Sequence, residues 1–329
     1  MRERAVQLAV LIIFVLTSPS IAAQKKRVAA RSQLPTALPC GNILAFQVLL
    51  DRHGFSPGQI DGNRGPNLLR AAAAFQAARP LPRSGQLDCA TWNALGGDLA
   101  GDLQAPYTIS DSDANAAYVK DIPRDLNEQA QLPALEYGSL LERLGERFHS
   151  APALIERLNP GTSFASVPSG TTIKVPAVTP FDPDTKVTAD PNAGDVTITV
   201  SKSDSGLRAA RGDGTVVLFA PVTTGSEHDP LPQGSWKVTA VLWRPPFHYN
   251  PDLFWDAKPQ HTRATIKPGP NNPVGIVWID LDLEHYGLHG TPEPGSVGHT
   301  ASHGCVRLTN WDAARVAALV KPGTPVEFR

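Results

Sequence analysis

The stretch that decides the fold is His289-Gly290-Thr291, followed after a short gap by Ser302-His303-Gly304-Cys305-Val306-Arg307-Leu308. Cysteine attacks as the thiolate, so a nucleophilic Cys305 needs a nearby imidazole to take its proton. Glycine beside it leaves backbone N–H groups free to point at a developing oxyanion. His289 and Cys305 are too far apart for one helix face, but they suit two strands joined by a loop. The pattern predicts nucleophilic catalysis by cysteine.

The two halves, HGT and SHGCVRL, resemble the signature of the YkuD-type L,D-transpeptidase catalytic domain, a cysteine acyltransferase that acts on peptidoglycan stem peptides. Further landmarks of that domain lie upstream at residues 221–225 (PVTTG), 231–234 (LPQG) and 269–275 (GPNNPVG). The resemblance covers residues from about 185 to the end, and we place the catalytic domain at 192–329.

The composition of this region favours a mostly-β fold. Short β-branched and aromatic runs bounded by Gly, Pro and Asp are typical of strands. Such runs lie at 196–200, 215–219, 235–241 and 275–279. Only residues 311–320 have a helical pattern, with Asp312 near the start. Many strands and little helix indicate a sandwich or a barrel-like sheet, as the resemblance also implies.

The resemblance implies a role for each motif residue. Cys305 would form a thioester with the donor carbonyl, and His289 would take the thiol proton and return one to the leaving amine. A pKa near neutrality suits both tasks. No acidic residue is fixed in the motif, so the Gly290 carbonyl would orient the imidazole. The N–H groups of Gly304 and Cys305 would form the oxyanion hole, and His303 would pack in the turn that presents Cys305.

Two further motif residues are candidates for substrate contact. Arg307 could bind a carboxylate, such as that of diaminopimelate or the terminal D-alanine, or form an ion pair inside the domain. Ser302 could contact substrate or only build the turn. On the alternative hypothesis, Cys305 is a buried small hydrophobe and the histidines are hydrogen-bonded loop residues.

A zinc site is the competing interpretation of the same region. Four histidines and the cysteine fall close together, namely His285, His289, His299, His303 and Cys305. However, the His-Gly-Cys turn has no role in a metal site, and the resemblance implies neither a metal nor a nucleotide. We therefore predict no metal and no cofactor.

Residues 1–23 have the pattern of an export signal. Arg2 and Arg4 precede an apolar run at 5–16, and small residues follow it. The run is shorter than the ~20 residues needed to span a bilayer, with an uncleaved anchor as the alternative. The polar, basic residues 24–37 would form a flexible lead. The prediction is an exported protein of the periplasm or cell wall.

Residues 38–97 predict a small three-helix domain. Phe46 and Leu50 have helical spacing, Gly65-Pro66 opens a second helix, and Asp88 is a candidate N-cap for a third. This pattern resembles a peptidoglycan-binding domain of the PGBD type. The alternative is a structural bundle without a ligand.

Cys40 and Cys89 bracket this domain. In an exported protein a disulfide between them is the economical interpretation, and two buried free thiols are the alternative. Closing a loop of about fifty residues is worth about 4 kcal/mol in the chain-entropy model. The bond would leave Cys305 unpaired, as a nucleophile must be.

Residues 132–178 predict a second small module. A helical pattern at 133–148 precedes a shorter one at 151–158 and a strand at 170–176. With an opening strand that the pattern locates poorly, the order resembles a LysM module, a glycan-binding βααβ fold. Alternatively, the segment is a subdomain that only orients the catalytic domain. Residues 98–131 and 179–191 are predicted linkers.

The chain is predicted to be a multi-domain α+β protein. Its 329 residues suggest two or three domains. A hydrophobic fraction of 41% and a charged fraction of 19% are those of globular proteins. A net charge of −1 gives no electrostatic reason to expect nucleic-acid binding.

The predicted function is that of an L,D-transpeptidase whose partner is peptidoglycan. Cys305 would attack the L-centre carbonyl of the third-position diamino acid in a tetrapeptide stem and release D-alanine. The acyl group would pass to an amine, with a diaminopimelate of a neighbouring stem favoured, giving a 3–3 crosslink. Alternatives are attachment of an outer-membrane lipoprotein, hydrolysis as an L,D-carboxypeptidase or endopeptidase, and a non-catalytic peptidoglycan-binding scaffold.

Overall fold

The computed structural model describes residues 38–329, and Leu38–Arg329 form one compact unit. The predicted export signal and flexible lead lie outside the described residues. Within residues 38–329, no helix is both long and apolar enough to cross a membrane.

The first module contains three helices where the sequence predicts them. They are α1 (Ile43–Arg52), α2 (Pro66–Ala77) and α3 (Cys89–Ala94). Pro66 occupies the first turn of α2, and the Asp88 side chain caps α3 by accepting from the Thr91 N–H. Phe46 and Trp92 meet in the core with ring centroids 5.3 Å apart. A disulfide joins Cys40 to Cys89.

The second module begins earlier in the chain than predicted. Its elements are β1 (Gln104–Thr108), α4 (Asp111–Ala114), α5 (Leu126–Gln129), α6 (Leu140–Arg147), α7 (Pro152–Leu158) and β2 (Thr172–Pro176). β1 pairs antiparallel with β2 along its whole length. The prediction of residues 98–131 as a linker is therefore wrong. β1 has Pro106 at its centre and few β-branched residues, so it forms a strand through its pairing rather than through local propensity.

The third region is built on one eight-stranded mixed sheet. Its strands are β3 (Val196–Ser201), β4 (Gly206–Arg211), β5 (Val216–Pro221), β6 (Gly234–Trp243), β9 (Val277–Leu281), β10 (Gly287–His289), β11 (Val306–Arg307) and β12 (Pro325–Phe328). Their order in the sheet is β11-β10-β9-β6-β12-β3-β4-β5. A helix, α8 (Asn310–Leu319), contributes Trp311 and Val316 to the same core. The α+β class is confirmed, with one sheet and a helix rather than two stacked sheets.

A hairpin stands apart from this sheet. Its strands β7 (Phe247–Tyr249) and β8 (Ala264–Ile266) pair antiparallel, and residues 250–263 form its tip. The hairpin packs against the second module, where Leu135 is buried with Tyr249 and Ile266. Ile122 and Leu126, from the segment predicted to be a linker, pack against the same cluster, so that segment supports part of the catalytic region.

The first module adds to the free edge of the sheet at β5. The Phe219 N–H donates to the Gly54 carbonyl at 2.9 Å, and the Ser56 N–H donates to the Phe219 carbonyl at 2.8 Å. Gly54 has φ +81°, and an added Cβ would lie 2.7 Å from the Val217 carbonyl oxygen. Only glycine permits this close approach without strain. Phe219 belongs to the apolar core of the first module.

All three regions meet at a buried polar cluster, which we call the junction cluster. It consists of Ser56, Asp51, His149, Asp312 and Arg315. Asp51 accepts from Arg315 at 2.7 and 3.0 Å and lies 3.1 Å from the His149 Nδ1, while Ser56 donates to Asp312 at 2.7 Å. Burial alone would raise the pKa of Asp51, but His149 and Arg315 hold it well below its usual range. Paired charges thus tie the modules together.

Candidate active site

Two parallel strands bring the predicted pair onto one face of the sheet. β10 and β11 pair in the register Leu288↔Val306 and His289↔Arg307. Leu288 and Val306 are fully buried in the core. Because side chains alternate along a strand, His289 and Arg307 face the other way. Cys305 comes two residues before Arg307 and shares that face.

The His289 ring is held by a hydrogen bond and a stacking contact. Its Nδ1 lies 2.6 Å from the Gly290 carbonyl oxygen. Since a carbonyl only accepts, Nδ1 carries the proton, and the Nε2 lone pair is free to accept another. The ring stacks on Trp278 of β9 with centroids 5.4 Å apart. Gly287 leaves room for Trp278, because an added Cβ would lie 2.6 Å from that ring.

Burial keeps both members of the pair neutral. Burial, together with the Arg307 charge, lowers the pKa of His289 to about 3. Burial likewise raises the pKa of the Cys305 thiol. At neutral pH the site therefore holds a thiol and an uncharged imidazole. This differs from the expected near-neutral pKa, because the motif does not reveal how deeply the ring is buried.

The Cys305 thiol is not hydrogen-bonded to His289. Its Sγ lies 3.5 Å from the His285 carbonyl oxygen, to which it donates. Protein surrounds most of the side chain, although part of its surface stays open to solvent. The sulfur is unpaired. Proton transfer to His289 therefore requires the thiol to rotate away from the His285 carbonyl.

Gly304 occupies the position predicted for an oxyanion contact. Its φ is +105°, and an added Cβ would lie 2.8 Å from the Tyr286 ring, so the turn requires glycine. Within residues 38–329, the Gly304 N–H donates to no acceptor. Tyr286, which the sequence analysis did not identify, lines the site next to Gly304.

Arg307 has a bonded backbone and a free side chain. Its N–H and carbonyl pair with Thr223 at 2.9 and 3.0 Å. Its guanidinium forms neither an ion pair nor a hydrogen bond with any residue of the described chain. The predicted alternative of an ion pair inside the domain is therefore absent from residues 38–329. Burial lowers the pKa of Arg307, although nearby acidic groups oppose this shift.

Ser302 stabilises the turn that presents Cys305. Its side chain is buried, and its Oγ donates to the Cys305 carbonyl at 2.6 Å. Its N–H donates to the Thr224 carbonyl at 3.0 Å. The hydroxyl is turned inward and fixes the loop that carries Cys305, which favours the structural alternative for Ser302 over a substrate contact.

His303 contacts the tip of the β7–β8 hairpin. Its Nε2 lies 2.8 Å from the Asp256 Oδ1, and its ring packs on Phe254 with centroids 5.0 Å apart. The next hairpin residue, Trp255, stacks on His228 at 4.4 Å. The sequence analysis did not identify these hairpin residues as part of the site, although the aromatic run at residues 247–255 indicates an aromatic surface.

The histidines considered for zinc lie in different environments. His285 is near Glu284 at 3.4 Å, and His299 is near the Asn67 amide at 3.4 Å. Within residues 38–329, no group of three or more His, Cys, Asp or Glu side chains is arranged to hold a metal ion.

Two family models match the chain. Residues 195–328 match the L,D-transpeptidase catalytic domain of the YkuD type, and residues 41–95 match a peptidoglycan binding domain. The L,D-transpeptidase YqjB of Bacillus subtilis is 30% identical over 143 residues, which are 42% of this chain and 73% of that relative. The chain belongs to the L,D-transpeptidase family.

Two further proteins are similar to the chain. The L,D-transpeptidase YkuD of Bacillus licheniformis is 27% identical over 191 residues, covering 58% of this chain and 94% of that relative. The solved L,D-transpeptidase C442S mutant of Enterococcus faecium is 19% identical, with a TM-score of 0.32 over 41% of this chain and 50% of that one. The assignment rests on the sequence matches. The predicted catalytic and peptidoglycan-binding resemblances are confirmed, and the LysM resemblance stays a prediction.

Proposed function

We propose that Cys305 is the nucleophile of an L,D-transpeptidase and that His289 is its base. The observation that carries this proposal is the hydrogen bond from the His289 Nδ1 to the Gly290 carbonyl. It leaves the Nε2 as an acceptor on the face that Cys305 shares. A neutral imidazole has the lone pair that takes the thiol proton, whereas an imidazolium does not. With a pKa of about 3 it is a weak base, so the proton transfer must be coupled to the attack of the sulfur on the carbonyl carbon.

The reaction has two halves with one intermediate. The thiol rotates toward His289, gives its proton to the Nε2, and its sulfur attacks the L-centre carbonyl carbon of the third-position diamino acid. The Gly304 N–H, which has no acceptor within residues 38–329, donates to the resulting oxyanion. The carbon–nitrogen bond to D-alanine breaks, and the leaving amine takes the proton from His289. A thioester on Cys305 remains.

In the second half an amine attacks the thioester. His289 takes the proton of the incoming amine, a new amide bond forms, and the sulfur leaves and recovers the proton. The energy of the cleaved peptide bond is kept in the thioester, so the exchange needs no nucleotide. Water in place of the amine would make the same intermediate a hydrolytic one.

Arg307 is the proposed anchor for a substrate carboxylate. A guanidinium without a protein partner in the described chain has its donors available to a ligand, and it pairs with carboxylates in a bidentate manner. In the sheet register it lies beside His289, and it follows Cys305 by two residues in the chain. The carboxylate of D-alanine, or that of the diamino acid, would lie near the scissile bond and suits this anchor.

The peptidoglycan strand itself is proposed to contact a polar groove. The groove lies between the first module and the loop after His289, and its lining includes Gln59, Asp61, Asn63, Asn67 and His299. Amide and carboxylate side chains suit sugar hydroxyls and acetamido groups. Such a contact would hold an exported enzyme on the cell wall, consistent with the export signal predicted at residues 1–23.

The proposed acceptor is a diaminopimelate side chain of a neighbouring stem. Contact with a polymeric strand raises the effective concentration of neighbouring stems at the thioester. Attachment of a lipoprotein lysine and hydrolysis use the same donor half-reaction and are the competing outcomes.

The test of the acceptor uses isolated sacculi. The purified protein is incubated with sacculi, a muramidase releases the muropeptides, and mass spectrometry identifies them. Tetrapeptide–tripeptide dimers joined through two diamino acids support 3–3 crosslinking. Tripeptide monomers with free D-alanine as the sole products would instead establish hydrolysis.

A further inference from the structure

A buried carboxyl of the second module reaches the catalytic region. Glu146 lies on α6 and is 5% exposed. It accepts from the Asn310 Nδ2 at 2.8 and 3.1 Å and from the Tyr137 hydroxyl at 2.9 Å. Asn310 is the first residue of α8, so this contact joins two regions far apart in the chain.

Asn310 in turn packs on the backbone that orients His289. Its side chain is fully buried, and its Oδ1 accepts from the Ile276 N–H at 3.1 Å. A Cβ added at either Gly275 or Gly290 would overlap this oxygen. The amide therefore lies against the peptide whose carbonyl accepts from the His289 Nδ1.

We propose that Glu146 is a positioning residue for His289, acting through Asn310 and Gly290. The proposal rests on the proposed role of His289 as the base. The Asn310 amide is held in one orientation because its Nδ2 donates to the carboxyl while its Oδ1 accepts from the sheet. Without the carboxyl, the Nδ2 keeps only the Pro270 carbonyl at 3.2 Å. The amide can then turn, and the Gly290 carbonyl loses the packing that fixes it.

The proposal gives the second module a role in the reaction. It would contribute to the rate of the reaction as well as to contact with the cell wall, because its helix α6 supports the base. Small displacements of a catalytic group are costly, and a shift of about 1 Å can lower a rate about 100-fold. The effect should fall on kcat, since Glu146 is buried away from any substrate.

The test compares Glu146→Ala with a matched control, Tyr137→Phe, which removes the other hydrogen bond to the same carboxyl. D-alanine release from a purified disaccharide-tetrapeptide is measured on protein whose near-ultraviolet circular dichroism matches that of the wild type, so that unfolded protein is not counted. For Glu146→Ala we expect kcat to fall about 10- to 100-fold while KM stays within about 2-fold. Glu146→Gln should recover most of the rate, because its amide oxygen still accepts from Asn310. Tyr137→Phe should keep kcat.

Two results would overturn the inference. One is a kcat for Glu146→Ala equal to that of Tyr137→Phe, and the other is a loss that Glu146→Gln does not recover. If Glu146→Ala does not fold, Glu146→Asp replaces it, since the shorter Asp side chain cannot bring its carboxyl to the Asn310 Nδ2. A wild-type protein without turnover, or an active His289→Ala, would sink the proposed function itself. An active wild type with an equally active Glu146→Ala would sink this inference alone.

Discussion

Two buried polar clusters in this protein differ in how completely their groups are paired. In the junction cluster, Asp51 is bonded to both Arg315 and His149, and Asp312 accepts from Ser56. Around Cys305, by contrast, the Arg307 guanidinium and the Gly304 N–H have no partner in the described chain.

The contrast indicates which cluster serves folding and which serves a ligand. A buried polar group without a partner costs about 1–3 kcal/mol, more if it is charged. The junction cluster avoids that cost, and its charges hold the modules in one unit. The donors around Cys305 stay available instead: Gly304 is buried, while the Arg307 guanidinium is only partly buried and reaches solvent. This is expected where a substrate supplies the partners.

The largest expected loss of activity follows removal of the Cys305 sulfur. Cys305→Ala should lower the release of D-alanine by about 10⁴-fold or more, because the covalent route is lost. The free energy of unfolding should change little, since the hydrogen bond from the thiol to the His285 carbonyl is long, at 3.5 Å. Release at the wild-type rate by the purified variant would remove Cys305 from the mechanism.

A substitution in the junction cluster should have the opposite effects: it should lower the free energy of unfolding and leave kcat unchanged. Asp51→Ala leaves Arg315 and His149 without their carboxylate, and we expect the free energy of unfolding to fall by about 3–5 kcal/mol. Chemical denaturation measures it, with Asp204→Ala as the control for a more exposed ion pair. The kcat per folded molecule should be unchanged. A fall below about 1 kcal/mol would contradict the assigned role of the junction cluster.

Arg307→Met tests the unpaired cation. Since Arg307 has no side-chain partner among residues 38–329, the variant should be as stable as the wild type or more so. Its kcat/KM for a tetrapeptide donor should fall about 10- to 100-fold, because a charged hydrogen bond is worth about 1.5–3 kcal/mol. Arg208→Met, which removes an arginine paired with Asp204 at 3.0 Å, is the control. Equal kcat/KM values for the two variants would argue against a carboxylate anchor.

The protonation state of the pair gives a pH prediction. Burial raises the pKa of Cys305, so its thiolate fraction is small at neutral pH and grows about tenfold per pH unit below that pKa. Alkylation by iodoacetamide, for which Cys305 is the free thiol, should therefore rise steadily from about pH 6 to about pH 9. With a His289 pKa of about 3, the imidazole adds no step in this range. A plateau beginning near pH 6 would indicate a thiolate–imidazolium pair instead.

The smallest expected effect is in the polar groove. Gln59→Ala removes one uncommitted amide from its lining and should weaken binding to isolated sacculi about 2- to 10-fold, the range of one hydrogen bond. Turnover of a soluble stem peptide without sugar should not change. Gln131→Ala, which lies outside the groove, serves as the control in a pelleting assay. Equal retention of both variants on sacculi would place the glycan contact elsewhere.

Local sequence patterns were sufficient for much of the fold. The helices of the first module follow from Pro66 and the Asp88 cap, and the strands of the sheet follow from short β-branched runs. The opening strand β1 was missed because it depends on pairing with β2, more than sixty residues later. The packing of the modules was missed for the same reason, since Asp51 and Arg315 are 264 residues apart.

The sequence predicts which residues form the candidate site but not their energetics. His289, Gly290 and Cys305 were predicted from the family motif, and their roles stay predictions. The depressed pKa of His289 depends on the burial of its ring and on the Arg307 charge, and no motif records how deeply the ring is buried. The support from Glu146 likewise arises only when α6 meets α8.

The most direct test of the central claim is the mass of the intact protein during turnover. The claim is that the unpaired groups around Cys305 serve an acyl transfer through its sulfur. Rapid acid quenching with a disaccharide-tetrapeptide, without an added acceptor, should give an adduct of the donor minus D-alanine. Peptide mapping should locate it on Cys305, and Cys305→Ala should lack it. Sustained D-alanine release with no adduct at any time, or an adduct on another residue, would contradict the account.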